Sequence, residues 1–153
     1  MRRADREVSK ADEILGILRR CDTLRVAMNG EGAPYVVPVS FGCELAEGKL
    51  RLYFHGAGNG LKHELLGRDP RVCVEAGRCL GFTGTGCEAT CGYESVIGFG
   101  TAQRVSGAEA VHGLDLLLDH CGLAGGPCDE AVLAATTVYK ITLDSVSGKR
   151  KPV

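Results

Sequence analysis

The sequence predicts a mainly β domain: a mostly antiparallel sheet, closed or nearly closed, with helices packed outside it. Three observations carry that expectation. Six segments have the length and apolar alternation of strands. Few helical crossovers separate them, which argues against a parallel βαβ series. Glycine, at 22 of 153 residues, stands at about twice its usual share of roughly 7 %. Several of these glycines fall inside strand-like runs, where they mark bulges, barrel corners or close approach of a ligand. Pattern alone leaves sandwich and barrel both open.

Each element has its own signal. Ser9 followed by Asp12 resembles a capping box, and Ile14, Ile17, Leu18 and Cys21 form an apolar stripe over a helix at 10–20. A short strand at 24–28 ends in the turn Asn29-Gly30-Glu31-Gly32. The second strand, 35–43, places Val37, Val39 and Phe41 on one face and Pro38 and Ser40 on the other. Pro38 cannot donate to a ladder, so this strand belongs at an edge or carries an irregularity. Residues 49–55 alternate Leu50, Leu52 and Phe54 against Arg51, Tyr53 and His55. A short helix at 60–67 stops before Asp69-Pro70, and 71–76 is the fourth strand. Residues 77–92, rich in glycine and cysteine, match no pattern. A long strand at 93–105 carries Gly98 and Gly100 on one face. Ser106 and Glu109 open a helix with Val111, Leu114, Leu118 and Cys121 as its buried stripe, ended by Gly122. Residues 124–129 read as loop, 130–135 as one helical turn, and 136–145 as the last strand.

Composition bounds the function. The length fits a single domain spanning 1–153. A net charge of −1 gives no basic footprint for nucleic acid or an anionic membrane. No apolar run approaches the roughly 20 residues of a membrane span. The charged N-terminus lacks an apolar stretch typical of a secretory signal, so the expected location is the cytoplasm. The eight cysteines (Cys21, Cys43, Cys73, Cys79, Cys87, Cys91, Cys121 and Cys128) include no C-x-x-C pair, so reduced thiols are expected and no metal site.

The segment 52–62, LYFHGAGNGLK, is the densest in chemistry. A strand ending at His55 feeds a glycine loop and a helix whose first turn carries Lys62. Backbone N–H groups converge on an anion at such a place, and the ammonium adds a full charge. The bland alternative, a solvated lysine and a strand-end histidine, is equally compatible with spacing alone. Val37-Pro38-Val39-Ser40 leaves backbone groups unpaired where Pro38 interrupts the ladder. Ser95 offers a hydroxyl, and Gly98 permits close backbone approach or simply a barrel corner. His63, His112 and His120 read as helix-surface residues.

Five stretches in order, MRRADREV at 1–8, YVVPVSFG at 35–42, LYFHGA at 52–57 with Lys62, YESVIGFG at 93–100 and GKR at 148–150, carry a resemblance. The chain resembles the nitroimidazole-resistance (NimA-like) branch of the pyridoxamine 5′-phosphate oxidase-related, FMN-binding split-barrel proteins. That resemblance implies a six-stranded antiparallel split β-barrel. It implies FMN, with the phosphate at Phe54, His55, Gly56, Ala57 and Lys62, the isoalloxazine along Val37, Pro38, Val39 and Ser40, and a lining strand at Ser95, Val96, Ile97 and Gly98. It implies a structured Lys149 and Arg150, and a homodimer with the flavin at the subunit interface. The implied activity is electron or hydride transfer from reduced flavin to a small molecule such as a 5-nitroimidazole, with the electron donor unspecified. His55 is the side chain nominated beside the reacting face. One departure bears on the substrate: relatives show an aromatic residue shortly after the position of Cys87, and Glu88-Ala89-Thr90-Cys91 has none. Two alternatives remain, a flavin- or haem-binding carrier or sensor, and a cysteine-based metal or redox protein using Cys79, Cys87 and Cys91.

Overall fold

The computed structural model of the chain describes residues 3–123 and 130–153. Among the described residues eight strands, all paired antiparallel, make one sheet: β1 (Glu7–Val8), β2 (Leu24–Met28), β3 (Tyr35–Val39), β4 (Gly42–Ala46), β5 (Lys49–Ala57), β6 (Arg71–Thr83), β7 (Thr90–Val105) and β8 (Thr136–Lys151). Around it lie α1 (Ala11–Leu18), α2 (Leu61–Arg68), α3 (Gly107–His120) and α4 (Glu130–Ala135). The expected class therefore holds, with two differences in strand count. The stretch 35–43 is two strands broken at Ser40 and Phe41, and the two-residue β1 adds to the side of β8.

That break shapes the molecule. The sheet order is β3-β2-β6-β7-β8-β5-β4, so β3 and β4 are its two edges. Laid flat, six strand spacings would part them by roughly 29 Å. The chain from Val39 to Gly42 reaches about 11 Å at most. The sheet must curl until its edges nearly meet, which is a barrel left open along one seam. Pro38 stands on the edge strand β3, as its missing N–H requires, opposite Arg25 of β2.

The inner face of the curl holds the core. Leu24, Val26, Phe41, Leu52, Phe54, Val74 and Ile141 are sealed from water, and α1 adds Ile14, Ile17 and Leu18. The apolar stripe of α1 is as expected, but the helix begins after Lys10 with no side-chain cap, so Ser9 caps nothing. In α3 the buried residues are Gly113, Leu114 and Leu117, while Val111 and Cys121 are exposed. Gly113 moves the stripe. A Cβ there would lie 2.5 Å from the Tyr53 ring, so the helix rests its bare backbone on β5.

Residues 77–92, unassigned from pattern, continue β6 and β7 into a long hairpin arm. Its turn is a single 3-10 turn at Gly86–Glu88, and a bulge lies between Cys79 and Gly81. The expected loop at 124–129 lies outside the described residues. The expected helical turn at 130–135 is α4.

The tail GKR is part of β8 and is not loose charge. Arg150 donates to Glu94 at 2.8 Å, and Arg20 of the α1–β2 turn grips the same carboxylate at 2.8 and 3.0 Å. Glu94 is 6 % exposed, so its charge is sustained by the two guanidiniums. The Arg20 hydrogen bonds, helped by Arg150, hold its pKa below the ordinary 4.5 against the opposing effect of burial. A depressed carboxylate contributes stability above its unfolded pKa and loses it as pH falls through the folded value. Glu94→Gln is therefore expected to cost about 1–2 kcal/mol at pH 7, low in the range for charged hydrogen bonds because both arginines are partly solvated. Urea unfolding at stepped pH checks this: the gap between the two proteins should narrow once pH falls below the ordinary 4.5 and close as it passes through the lowered folded value.

Candidate functional site

Alternation along the strands decides which candidate residues meet. On β5, Phe54 and Gly56 point inward, opposite Tyr139 and Thr137 of β8. Arg104 of β7 faces Tyr139 in the same row. The first turn of α2 closes over this corner. Lys62 lays its ammonium 5.3 Å above the Phe54 ring. A Cβ on Gly56 would lie 2.8 Å from Lys62 Nζ, so glycine is what lets the lysine fold down onto the strand. His63 Nδ1 meets the Tyr139 hydroxyl at 2.9 Å, and the Tyr139 ring stacks on Phe54 at 5.2 Å.

The electrostatics of this corner are one-sided. Among the described residues neither Lys62 nor Arg104 forms an ion pair. Burial alone pushes the Lys62 pKa down, with no carboxylate to restore it. Burial also lowers His63, and the charges of Lys62 and Arg104 lower it further. Gly60, at φ 106°, turns the chain into α2 without a side-chain cap. The N–H groups of His63 and Glu64 donate to the Gly60 carbonyl at 2.9 and 3.2 Å, which leaves those of Leu61 and Lys62 as the first-turn donors without an intrahelical partner. A half-buried cation costs free energy until an anion joins it. A phosphate dianion is the group that fits: it would raise both pKa values and take the free donors.

Other candidate residues fall elsewhere. His55 lies on the opposite face of β5 from Lys62, exposed, in the row of Val138 and Val105. Its side chain does not join the Lys62 corner, whereas His63, read from sequence as a surface residue, does. Phe54 and Val96 are sealed in the core at 0 % and 1 % exposure, so only their backbones could touch a ligand. A Cβ on Gly98 would meet Leu143 at 3.0 Å and Val74 at 3.3 Å, so that glycine points into the core. Ser95 and Ile97 point outward, as do Val36 and Pro38 of β3. The ladders join Pro38, Arg25, Glu75 and Ile97 in one row of this outer face. Val37 and Val39 pack inward against the core. Ser40 enters β4 just ahead of the Gly42–Tyr53 pair, beside the His55 end of β5, where Ala57 closes the strand. Lys149 lies opposite Ser95, its ammonium 5.8 Å above the Tyr93 ring, and Arg150 is committed to Glu94.

The candidates therefore form two groups. Arg104 and Ser95 are nine residues apart on one strand, on the order of 30 Å of extended chain. One chain does not bring Ser95, Ile97 and their neighbours to the Lys62 corner, although the far end of the same strand reaches it through Arg104.

A family model described as pyridoxamine 5′-phosphate oxidase matches residues 10–150. The chain belongs to that family. A proposed 5-nitroimidazole antibiotic resistance protein from Bacteroides thetaiotaomicron shares 26 % identity over 94 % of this chain and 85 % of that one, with a TM-score of 0.82. An FAD-binding protein from Mesorhizobium loti is 25 % identical over 95 % of this chain and 97 % of that one, at TM-score 0.67. An FAD- and haem-binding protein from Mycobacterium smegmatis shares the fold at TM-score 0.81, with 21 % identity over 95 % and 73 % of the two chains. No curated protein matches in sequence. These likenesses agree with the split barrel that the curled, unclosed sheet displays. No helix among the described residues is long and apolar enough to cross a membrane.

Proposed function

We propose that this family member binds FMN and acts as an oxidoreductase on small nitroaromatic compounds of the 5-nitroimidazole type. The observation that carries the cofactor is the Lys62 corner: a half-buried ammonium over Phe54 and Gly56, with Arg104 and His63 beside it and no acid in ion-pair contact. Such a corner suits a terminal phosphate monoester. Lys62 and the α2 N–H groups hold that phosphate, and the Tyr139 hydroxyl fixes the His63 ring. FMN, when bound, supplies the two-electron chemistry, and the protein supplies position and electrostatics. The resistance protein named above supports the substrate class.

The second group of candidates, on the outer face, belongs in this reading to a second copy of the chain. Val36, Ile97 and Phe99 are 52 %, 45 % and 56 % exposed there, an apolar surface that pairing would cover. Val96, a member of the lining strand that the resemblance implies, faces the core and adds nothing to this surface. In a homodimer, Ser95 and Ile97 of one subunit complete the site begun by Lys62 of the other, with the flavin between them. A haem- or flavin-carrying role without turnover is the second reading, favoured by the binding protein from Mycobacterium smegmatis.

Absorbance and light scattering on the purified protein, titrated with FMN, test both parts. The expected outcome is flavin bands at one FMN per chain on a dimer. A Soret band with no flavin uptake would favour the haem reading. A monomer that holds FMN would remove the shared site.

A further inference from the structure

The hairpin arm of β6 and β7 carries chemistry that the flavin reading does not use. Cys79 Sγ and Cys91 Sγ lie 3.2 Å apart on neighbouring strands, inside the contact distance of two sulfur atoms. The bulge brings them there. Cys79 pairs with Tyr93, the ladder slips by one residue at Leu80, and Phe82 then pairs with Cys91, so the two thiols reach diagonally across the strands. Cys79 is exposed and Cys91 half-buried, its S–H donating to the Gly92 carbonyl at 3.0 Å. Gly81, at φ 137°, lies beside the bulge, and Gly84 and Gly86 also have positive φ, so the arm can adjust without side-chain strain.

We propose that Cys79 and Cys91 form a redox-active dithiol, which exchange with a low-molecular-weight disulfide closes into a cross-strand bond. The Cys79 thiolate, on the more exposed sulfur, attacks one sulfur of the small disulfide. That S–S bond breaks, one small thiolate leaves and is protonated, and Cys79 carries the mixed disulfide. Cys91 gives its proton to solvent and attacks Cys79 Sγ, and the second small thiol leaves. Two protein thiols are oxidised by two electrons, and one small disulfide is reduced to two thiols. The Cys91 thiol holds its proton until that second step, because the Cys79 sulfur and burial both push its pKa up. Closure asks the sulfurs to approach by only about 1 Å. The bond would pin the slipped register of the arm at the base of the Ser95 strand. The pairing differs from the Cys87–Cys91 spacing visible in sequence, since Cys87 sits in the turn at Gly86–Glu88.

The test equilibrates full-length protein, purified reduced, in glutathione buffers of increasing oxidised fraction, followed by acid quench, alkylation and peptide mass mapping. The expected result is a Cys79–Cys91 linked peptide as the first disulfide to accumulate, with loss of two alkylatable thiols. Cys87→Ser should leave that peptide unchanged. In Cys79→Ser, Cys91 should stay free or carry glutathione and join no other cysteine. Should wild type instead yield a Cys87–Cys91 peptide, a bond between chains, or only stable glutathione adducts, the dithiol assignment is overturned. FMN stoichiometry plays no part in this readout, so the result stands apart from the flavin proposal.

Discussion

Lys62→Ala should weaken FMN binding by about 1.5–3 kcal/mol, a loss of roughly 10- to 150-fold in Kd, the value of a charge-assisted hydrogen bond to phosphate. The expectation rests on where the ammonium lies. It is half-buried over Phe54 and pressed to Gly56, its pKa lowered by desolvation with nothing opposite to repay that cost. Removing it relieves the free protein of a buried charge while stripping the bound state of its principal cation. Stability without ligand should hold or rise as affinity falls. Fluorescence titration of FMN alongside thermal melts of the apoprotein separates the two effects. Riboflavin, which lacks the phosphate, should bind wild type and Lys62→Ala alike. Equal FMN affinity in both proteins would take Lys62 out of the site.

Gly42→Ala is expected to cost stability at the helix–sheet seam. Gly42 opens β4 and is fully covered by α3. A Cβ there would lie 2.6 Å from the Leu116 carbonyl carbon and the Leu117 nitrogen, both backbone atoms that cannot rotate away. On the same seam Gly113 lets the helix settle on the Tyr53 ring. Two glycines, one from each partner, thus set the separation of α3 from β4 and β5. The added methyl forces the helix outward at a cost of about 1–3 kcal/mol, an overpacking penalty. Each kcal/mol should lower Tm by roughly 2–4 °C in a chain of this size. Differential scanning calorimetry gives the value, and Gly67→Ala is the control, because nothing lies within 4 Å of a Cβ there. An unchanged Tm for Gly42→Ala would mean that α3 does not dock as described.

Local chemistry in the sequence determined the elements and much of the architecture. Strand alternation at 49–55, the stripe of Ile14, Ile17 and Leu18, and the proline that marks 35–43 as an edge or an irregular strand are properties of neighbouring residues, so they are legible without a fold. The anion corner was legible in part, because a glycine loop, a helix start and Lys62 lie within one short segment. Its other members were not. Arg104 and Tyr139 come from strands far along the chain, and only the β7–β8–β5 register places them in one row beneath α2. His55 and His63 illustrate the same limit. Both flank the loop in sequence, but strand alternation turns His55 to the outer face while the helix brings His63 over Tyr139. The hairpin arm of 77–92 escaped pattern because its glycines erase the apolar alternation. The pairing of Cys79 with Cys91 depends on a one-residue slip that composition does not encode. Periodicity reports which way a residue points within its own element. Which residues then share a corner is decided by register and curl, set here by the short Ser40–Phe41 connection that draws the two edges of the sheet together.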